Sequence, residues 1–533
     1  MAFIQNPVLK GFNPDPSIIR VEDDYYIATS TFEWFPGIQI HHSRDLVNWK
    51  LITHPLSRQS QLDMVGNPDS GGAWAPCLSY DNGTFYLIYT DVKSHAGGFK
   101  DTHNYLTTAT SIMGPWSEPI YLNSSGFDPS LFHDDDGRKW LVNMVWDHRK
   151  GKNSFGGILL QEYSAEEQRL VGPIQNIFKG TEIGLTEAPH LYKRDQYYYL
   201  MTAEGGTRLK HAVTMARSTS IWGPYEVDPN NPMLTSYQKP ELALQKAGHA
   251  SIVQTQEGEW YLAHLCGRPL EPSGNCNLGR ETAIQKCEWT EDGWLKIVGD
   301  DAQVKVEAPD LPVHSFETEP IKDDFNDDVF NIHLNSLRAP VEEDWASLSA
   351  RPGHLRLIGR ESLNSIHKQS LIARRQQAFQ VNVETVVEFS PENFQQMAGL
   401  VYYYNTKNYY YLHISHDEEL GKSLGIMSNT KGLYDEPLDG RIAIEDWDRC
   451  YLKAVLNYSD LQFYYSKDGE EWIAIGPVLD ASTISDENAE ININGFFLDQ
   501  GFTGAYIGLC VQDLSGQRKH ADFDFFVYEE LGE

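Results

Sequence analysis

The sequence predicts an all-β protein, a five-bladed β-propeller followed by a β-sandwich. Three observations carry this. A short segment recurs five times in the first half of the chain. Each copy is followed by aromatic-rich stretches separated by turn signals, and helical periodicity is weak from end to end.

The recurring segments are NPDPSI (13–18), AWAPCL (73–78), GFDPSL (126–131), TEAPHL (186–191) and GHASIV (248–253, shifted by one place). Each has a head residue, then Pro or Ala, then one further residue, then Ile or Leu. The heads Asp15, Ala75, Asp128, Ala188 and His249 fall at intervals of 60, 53, 60 and 61 residues. After each head come a turn signal and a strand, as in EDDYYIAT, DNGTFYLIY, DDDGRKWLVN, RDQYYYLMT and EGEWYLAH. Tyr26, Tyr86, Trp140, Tyr199 and Trp260 sit 11 or 12 residues beyond their heads, a hairpin's length. A third strand often follows and closes on Trp, GPW or GPY. Such units fit propeller blades of about four strands, whose first strands line a central axis. HDDDG (133–137) has the wrong alternation for a calcium loop and reads as one of the hairpin turns.

The repeat stops near residue 315, where EAPDLPVHSFETEPIKDDFNDDVFN is acidic and proline-bearing and reads as a linker. Beyond it, VNVETVVEFS, GLVYYYNTKNYYYLHIS, YLKAVLNYSDLQFYYSKDGEEW and ADFDFFVYEE alternate as strands of a sandwich. Asp468-Gly469 is a hairpin turn signal. The expected division is a propeller domain over 1–315 and a sandwich domain over 316–533.

With 533 residues, the chain is too long for one ordinary core. Its net charge of −32, from 75 acidic and 43 basic residues, argues against nucleic acid or an anionic membrane as partner. No apolar run reaches the length of a membrane span, and MAFIQNPVLKGFNPDPS lacks the basic start and apolar run of a secretion signal. Six widely spaced cysteines with no CxxC pair read as free thiols, so a cytoplasmic location is expected.

In a propeller the heads converge near one end of the axis. That brings Asp15 and Asp128 together with Glu187, beside the fourth head, and draws in Trp74 and His249. Each carboxylate alone reads as a turn or surface residue. Together they are like charges held close, which costs free energy and marks a site. Paired carboxylates are the apparatus of glycoside hydrolysis: one donates a proton to the leaving oxygen, while the other activates water or attacks the sugar. A third anion helps the acid keep its proton. No nucleophile elbow, P-loop, dinucleotide fingerprint or HExxH competes with this reading.

The ordered set NPDPS, GGAWAPCL, SSGFDPSLFHD, TEAPHL, AEGGTR, GHASIVQT and LGRETAIQ, with FQQMAGLVYYYNTKNYY and GFTGAYIG later, resembles glycoside hydrolase family 43. In particular it resembles that family's bacterial two-domain β-xylosidases, over essentially the whole chain. The resemblance implies a propeller catalytic domain, a jelly-roll, concanavalin-like sandwich that helps close the pocket, and inversion at the anomeric carbon. By motif, Asp15 would be the general base, Glu187 the general acid, and Asp128 the residue that orients Glu187 and raises its pKa. Inversion leaves room for a water, so the two carboxyls should lie about 6.5–9.5 Å apart.

Arg280 resembles the family's substrate arginine. Phe32, Trp74 and Trp146 look like apolar walls of the sugar pocket. His249 is a pocket donor or a channel histidine. Phe502 would reach over from the second domain, with Tyr506 a near neighbour of similar type. Against that resemblance the loop GRPLEPSGNCNLG before Arg280 is short, which bears on subsite shape or subunit contacts.

The function implied is exo-acting release of xylose from the non-reducing end of β-1,4-xylo-oligosaccharides. The alternatives are an α-L-arabinofuranosidase or dual enzyme and, more remotely, a non-catalytic carbohydrate-binding protein. No cofactor is required, although structural calcium occurs in some relatives. A homo-oligomer, dimer or tetramer, is implied by the resemblance.

Overall fold

A computed structural model of the chain describes residues 2–493 and 496–532. Five antiparallel sheets follow one another in sequence order, each beginning on its innermost strand; four have four strands, and the fourth adds a short fifth strand, Leu234–Thr235. Blade 1 runs Ser17–Val21, Asp24–Thr29, Gln39–Ser43 and Lys50–Thr53. Blade 2 opens with Gly72–Asp81 and blade 3 with Ser130–His133. Blade 4 opens with Glu187–Arg194, and blade 5 with Gln245–Gln254. The turn at 134–137 joins the first two strands of blade 3. The first strand of the chain, Phe3–Gln5, pairs with Lys305–Glu307, and Leu9 bridges Thr282 on blade 5. The two ends of the propeller segment are thereby tied together.

All five heads share one backbone feature. Asp15, Ala75, Asp128, Ala188 and His249 have φ of 57°, 37°, 54°, 50° and 41°. This left-handed region costs a residue with a Cβ about 1–2 kcal/mol. In blades 2, 4 and 5 the head coincides with a register break in the inner strand, between Trp74 and Cys77, Glu187 and His190, and Gly248 and Ala250. In blades 1 and 3 it lies just ahead of the strand. Such a kink re-aims side chains at the mouth of a strand.

Two residues past the head, serines stitch neighbouring blades. Ser17 Oγ accepts from Leu78 N (3.0 Å), and Ser130 Oγ donates to Pro189 O (2.6 Å). Ser251 Oγ accepts from Ile18 N (2.9 Å) and donates to Pro16 O (2.8 Å).

Most of the remaining strands form two facing sheets. One is built around His520–Glu530 and Gln380–Glu388, the other around Gln396–Asn405, Asn408–Asp417 and Tyr506–Asp513. Side chains of the second sheet alternate between two cores. Ala398, Leu400, Tyr402 and Tyr404 pack between the sheets. Met397, Val401 and Tyr403 pack outward in one cluster with propeller residues such as Phe32, Trp34 and Trp74. A strand buried on both faces has no polar side, and this explains the continuous run of tyrosines. Asp468 and Gly469 lie in the connection between Asp460–Ser466 and Ile473–Asp480, as the turn signal implied. Residues 308–320 carry neither helix nor strand. All six cysteines are free and buried.

Candidate active site

The kinked strand mouths open on a cavity of about 570 Å³. Every residue that the sequence singled out borders it: Asp15, Asp128, Glu187, Arg280, His249, Phe32, Trp74, Trp146 and Phe502. Blades 1 and 5 present their heads, Asp15 and His249. Blades 2 and 4 present the residue before the head, Trp74 and Glu187. Blade 3 presents both Phe127 and Asp128.

Asp15 is the most heavily supported carboxylate. Its Oδ2 accepts from Ser30 Oγ (2.7 Å) and its Oδ1 from Arg280 Nη1 (3.0 Å), while His249 Nδ1 lies 3.4 Å from Oδ1. Burial would raise its pKa, but Arg280 first, then His249 and the Ser30 hydroxyl, outweigh it and hold the carboxyl below the ordinary value. Burial, with Arg280 adding, lowers the pKa of His249 against the opposing pull of Asp15. His249 is therefore a pocket residue bound up with Asp15, and the two sequence readings of it merge.

The other two carboxyls are pushed the opposite way. Burial, with Asp15 adding, raises Asp128 to about 8, although Asp128 Oδ2 accepts from Ala188 N (3.1 Å). Burial raises Glu187 well above the ordinary glutamate value, and Asp128 and Asp15 add to it. One floor thus holds a carboxyl kept below its ordinary pKa beside two pushed above theirs. Divergent pKa values of this kind separate a base from an acid.

The walls are aromatic and come from both domains. Phe32 packs at 5.6 Å from Trp74 and 5.9 Å from Phe502, and Trp74 meets Phe127 edge-on at 5.7 Å. Phe502 lies in the loop ahead of Tyr506–Asp513. Its N–H donates to Ser70 Oγ (3.2 Å) and its carbonyl accepts from Arg280 Nη2 (2.9 Å). Tyr506 is instead buried in the interdomain core, stacked on Trp34 at 3.6 Å. This separates the two candidates. Trp74 Nε1 donates to Ser70 O (2.9 Å) and His95 Nε2 meets Asp69 O (2.9 Å), so residues 69–70 brace three rings of the wall. Gly279, at φ +73°, approaches the sandwich so closely that a Cβ would sit 2.3 Å from Thr503 O. The backbone leading into Arg280 has no room for a side chain there.

The loop 267–279 packs on the sandwich: Asn275 Nδ2 donates to Ser482 O (2.9 Å) and Cys276 N to Glu487 Oε2 (2.9 Å). Sequence reasoning missed Phe127, Lys100, His95, Arg208, Phe155 and Gln500 at the cavity. Phe127 occupies the place before a head, as Trp74 and Glu187 do, and one more column of the repeat would have found it. Lys100 lies in an irregular loop with no signal. Its ammonium sits 4.5 Å over the Trp146 ring, and burial pushes its pKa down to about 8 against the pull of Glu187. Among the described residues no group of three or more His, Cys, Asp or Glu is arranged to hold a metal ion.

Residues 4–295 match the family model "Glycosyl hydrolases family 43". The chain belongs to that family. A second model, "Beta xylosidase C-terminal Concanavalin A-like domain", matches residues 322–529 of this family 43 protein. Among its relatives, a β-xylosidase of Bacillus subtilis is 54% identical, with 99% of each chain covered. "Xylosidase/arabinosidase 43B" of Humicola insolens is 51% identical over 100% of this chain and 98% of its own. The crystal structure of xylan β-1,4-xylosidase from Bacillus halodurans C-125 is 60% identical, covers 99% of this chain and 100% of its own, and aligns with a TM-score of 0.96. This chain is thus an all-β propeller followed by a concanavalin-like sandwich.

Proposed function

We propose that the protein is an exo-acting, inverting β-xylosidase that releases xylose from the non-reducing end of β-1,4-xylo-oligosaccharides. The observation that carries this reading is the three buried carboxyls on one cavity floor, one whose pKa Arg280 holds down and two whose pKa burial pushes up. In it, ionised Asp15 takes a proton from water as that water attacks the anomeric carbon. Glu187 gives its proton to the leaving oxygen. Burial first, with the negative charge of Asp15 and any charge on Asp128 adding, makes ionisation of Glu187 costly, so the acid keeps its proton until the leaving oxygen takes it. Arg280 has N–H donors left over after binding Asp15 and Phe502, and these suit sugar hydroxyls. A floor built from Asp15, Arg280 and His249, each no more than 6% exposed, suits the end of a chain. The same reading assigns the chemistry to residues 1–315 and closure of the pocket to 316–533. Names of relatives at 49–54% identity, among them "Xylan 1,3-beta-xylosidase", support xyloside hydrolysis.

A second reading, dual action on α-L-arabinofuranosides, is favoured by the relative named xylosidase/arabinosidase at 51% identity. Rates on paired aryl β-xyloside and aryl α-arabinofuranoside substrates decide between them: a xyloside-only profile supports the first, comparable rates the second, and no turnover of either overturns both. Proton NMR of the first sugar formed tests inversion. Initial α-xylose from a β-xyloside is expected, and initial β-xylose would show retention. We place the protein in the cytoplasm, acting on imported oligosaccharides as a dimer or tetramer. Cell fractionation and light scattering test those two points.

A further inference from the structure

The chain carries a net charge of −32, yet the outer wall of its cavity is basic. His148, Arg149, Lys150, Gly151 and Lys152 all border it, on the loop between the blade 3 strands Lys139–Trp146 and Phe155–Ser164. The one acid on that loop, Asp147, is taken by Arg149 in a two-pronged pair, Nε to Oδ1 at 2.8 Å and Nη2 to Oδ2 at 2.6 Å. Lys150 and Lys152 are exposed and form no ion pair with any described residue. Arg208, also on the wall, is matched by Glu490. The three catalytic carboxyls lie on the buried floor, so two uncompensated ammonium groups stand at the mouth. Beside them the ring of Phe99, 70% exposed, lies tilted against His148 at 4.6 Å.

A neutral pentose needs hydroxyl partners and no net cation. In a pocket that holds the non-reducing end on its floor, the mouth faces the leaving-group side. We infer that this wall receives an anionic group on the sugar beyond the scissile bond, a carboxylate or a phosphate ester. The enzyme would then favour acidic oligosaccharides over neutral ones. This rests on the glycosidase reading above. Lysines on an open rim are screened over about 8 Å at physiological salt. The advantage is therefore modest, about three- to tenfold in kcat/KM at low ionic strength, as expected for exposed charges.

The test compares xylobiose with the same disaccharide bearing glucuronic acid on its reducing-end xylose, and with xylobiose 1-phosphate. The acidic-to-neutral ratio of kcat/KM should exceed one at low salt. It should fall to about one in 1 M NaCl, where the screening length is about 3 Å, and fall likewise in Lys150→Gln/Lys152→Gln. The arm with the larger ratio identifies the anion. A ratio at or below one in both arms, or one that neither salt nor the double variant moves, overturns the inference and leaves the xylosidase reading intact. Calorimetry on Glu187→Gln reads the same preference as binding, so the anion site is decided even if no substrate is cleaved.

Discussion

Arg280 donates through Nη2 to the carbonyl of Phe502, and its Nη1 holds Asp15. A single guanidinium therefore couples the ionisation of a propeller carboxylate to the position of a ring from the sandwich. Lysine is a point charge and cannot span both acceptors. Arg280→Lys is expected to lower kcat/KM at least about 100-fold, the scale of losing a buried charged contact of about 3 kcal/mol. Asp15 is held below its ordinary pKa chiefly by Arg280, so its pKa rises in Arg280→Ala. The acid limb of the kcat/KM profile should then move to higher pH. An unmoved limb would detach Asp15 from the base role.

Glu187 is needed only when the leaving group needs a proton. Glu187→Ala should lose most activity on xylobiose, by about 10²–10⁴-fold, the usual worth of general acid catalysis. On an aryl xyloside with a good leaving group it should retain far more. Asp15→Ala should lose activity on both. Equal, mild losses from both changes would sink the assignment.

Asp128 titrates near 4 when unfolded and near 8 in the fold. Between those values the native state holds the extra proton, so this group's contribution to stability is lost as pH rises from about 4 to about 8. Asp128→Asn removes that dependence. It should be inactive, yet more stable than the parent at pH 8 by about 1–2 kcal/mol, the range of single stabilising changes, with little gain at pH 4. Urea unfolding at the two pH values measures this, and a gain equal at both would refute the assigned titration.

The interdomain contact carries its own buried charges. Arg338, fully buried, donates to Asp69 Oδ1 (2.8 Å) and Asn67 O (2.8 Å). Burial raises Glu33 to about 8, with Arg338 opposing and Asp69 adding. Arg338→Ala leaves Asp69 without its cation at a cost of about 3–5 kcal/mol. Asp69 and Ser70 brace His95, Trp74 and Phe502, so KM should rise with kcat less affected. Unfolding and steady-state kinetics on one preparation test both effects, and an unchanged KM would show that the brace does not hold the wall.

The repeat made the propeller legible because each blade restates one backbone event, and the head column marks it. The head was visible as Asp, Ala or His before Pro or Ala, but its left-handed φ was not, because Ala75 and Ala188 are not residues that announce such a conformation. The stitching role of Ser17, Ser130 and Ser251 was hidden in the column passed over as one further residue. Lys100, Arg208 and the basic loop 148–152 come from irregular connections between strands. There position depends on tertiary packing, and no periodicity reports it. Phe502 and Tyr506 could be separated only by knowing which face of the sandwich meets the propeller.

The five left-handed heads have one more consequence. Each blade offers two addresses for a reacting or binding group, the head and the residue before it, on one shared backbone shape. Alanine at the head passes the task to its predecessor, as Ala75 does for Trp74 and Ala188 for Glu187. An asymmetric catalyst is thus spelled on a nearly symmetric ring by five local choices, and the frame itself is neutral about which letter each blade carries.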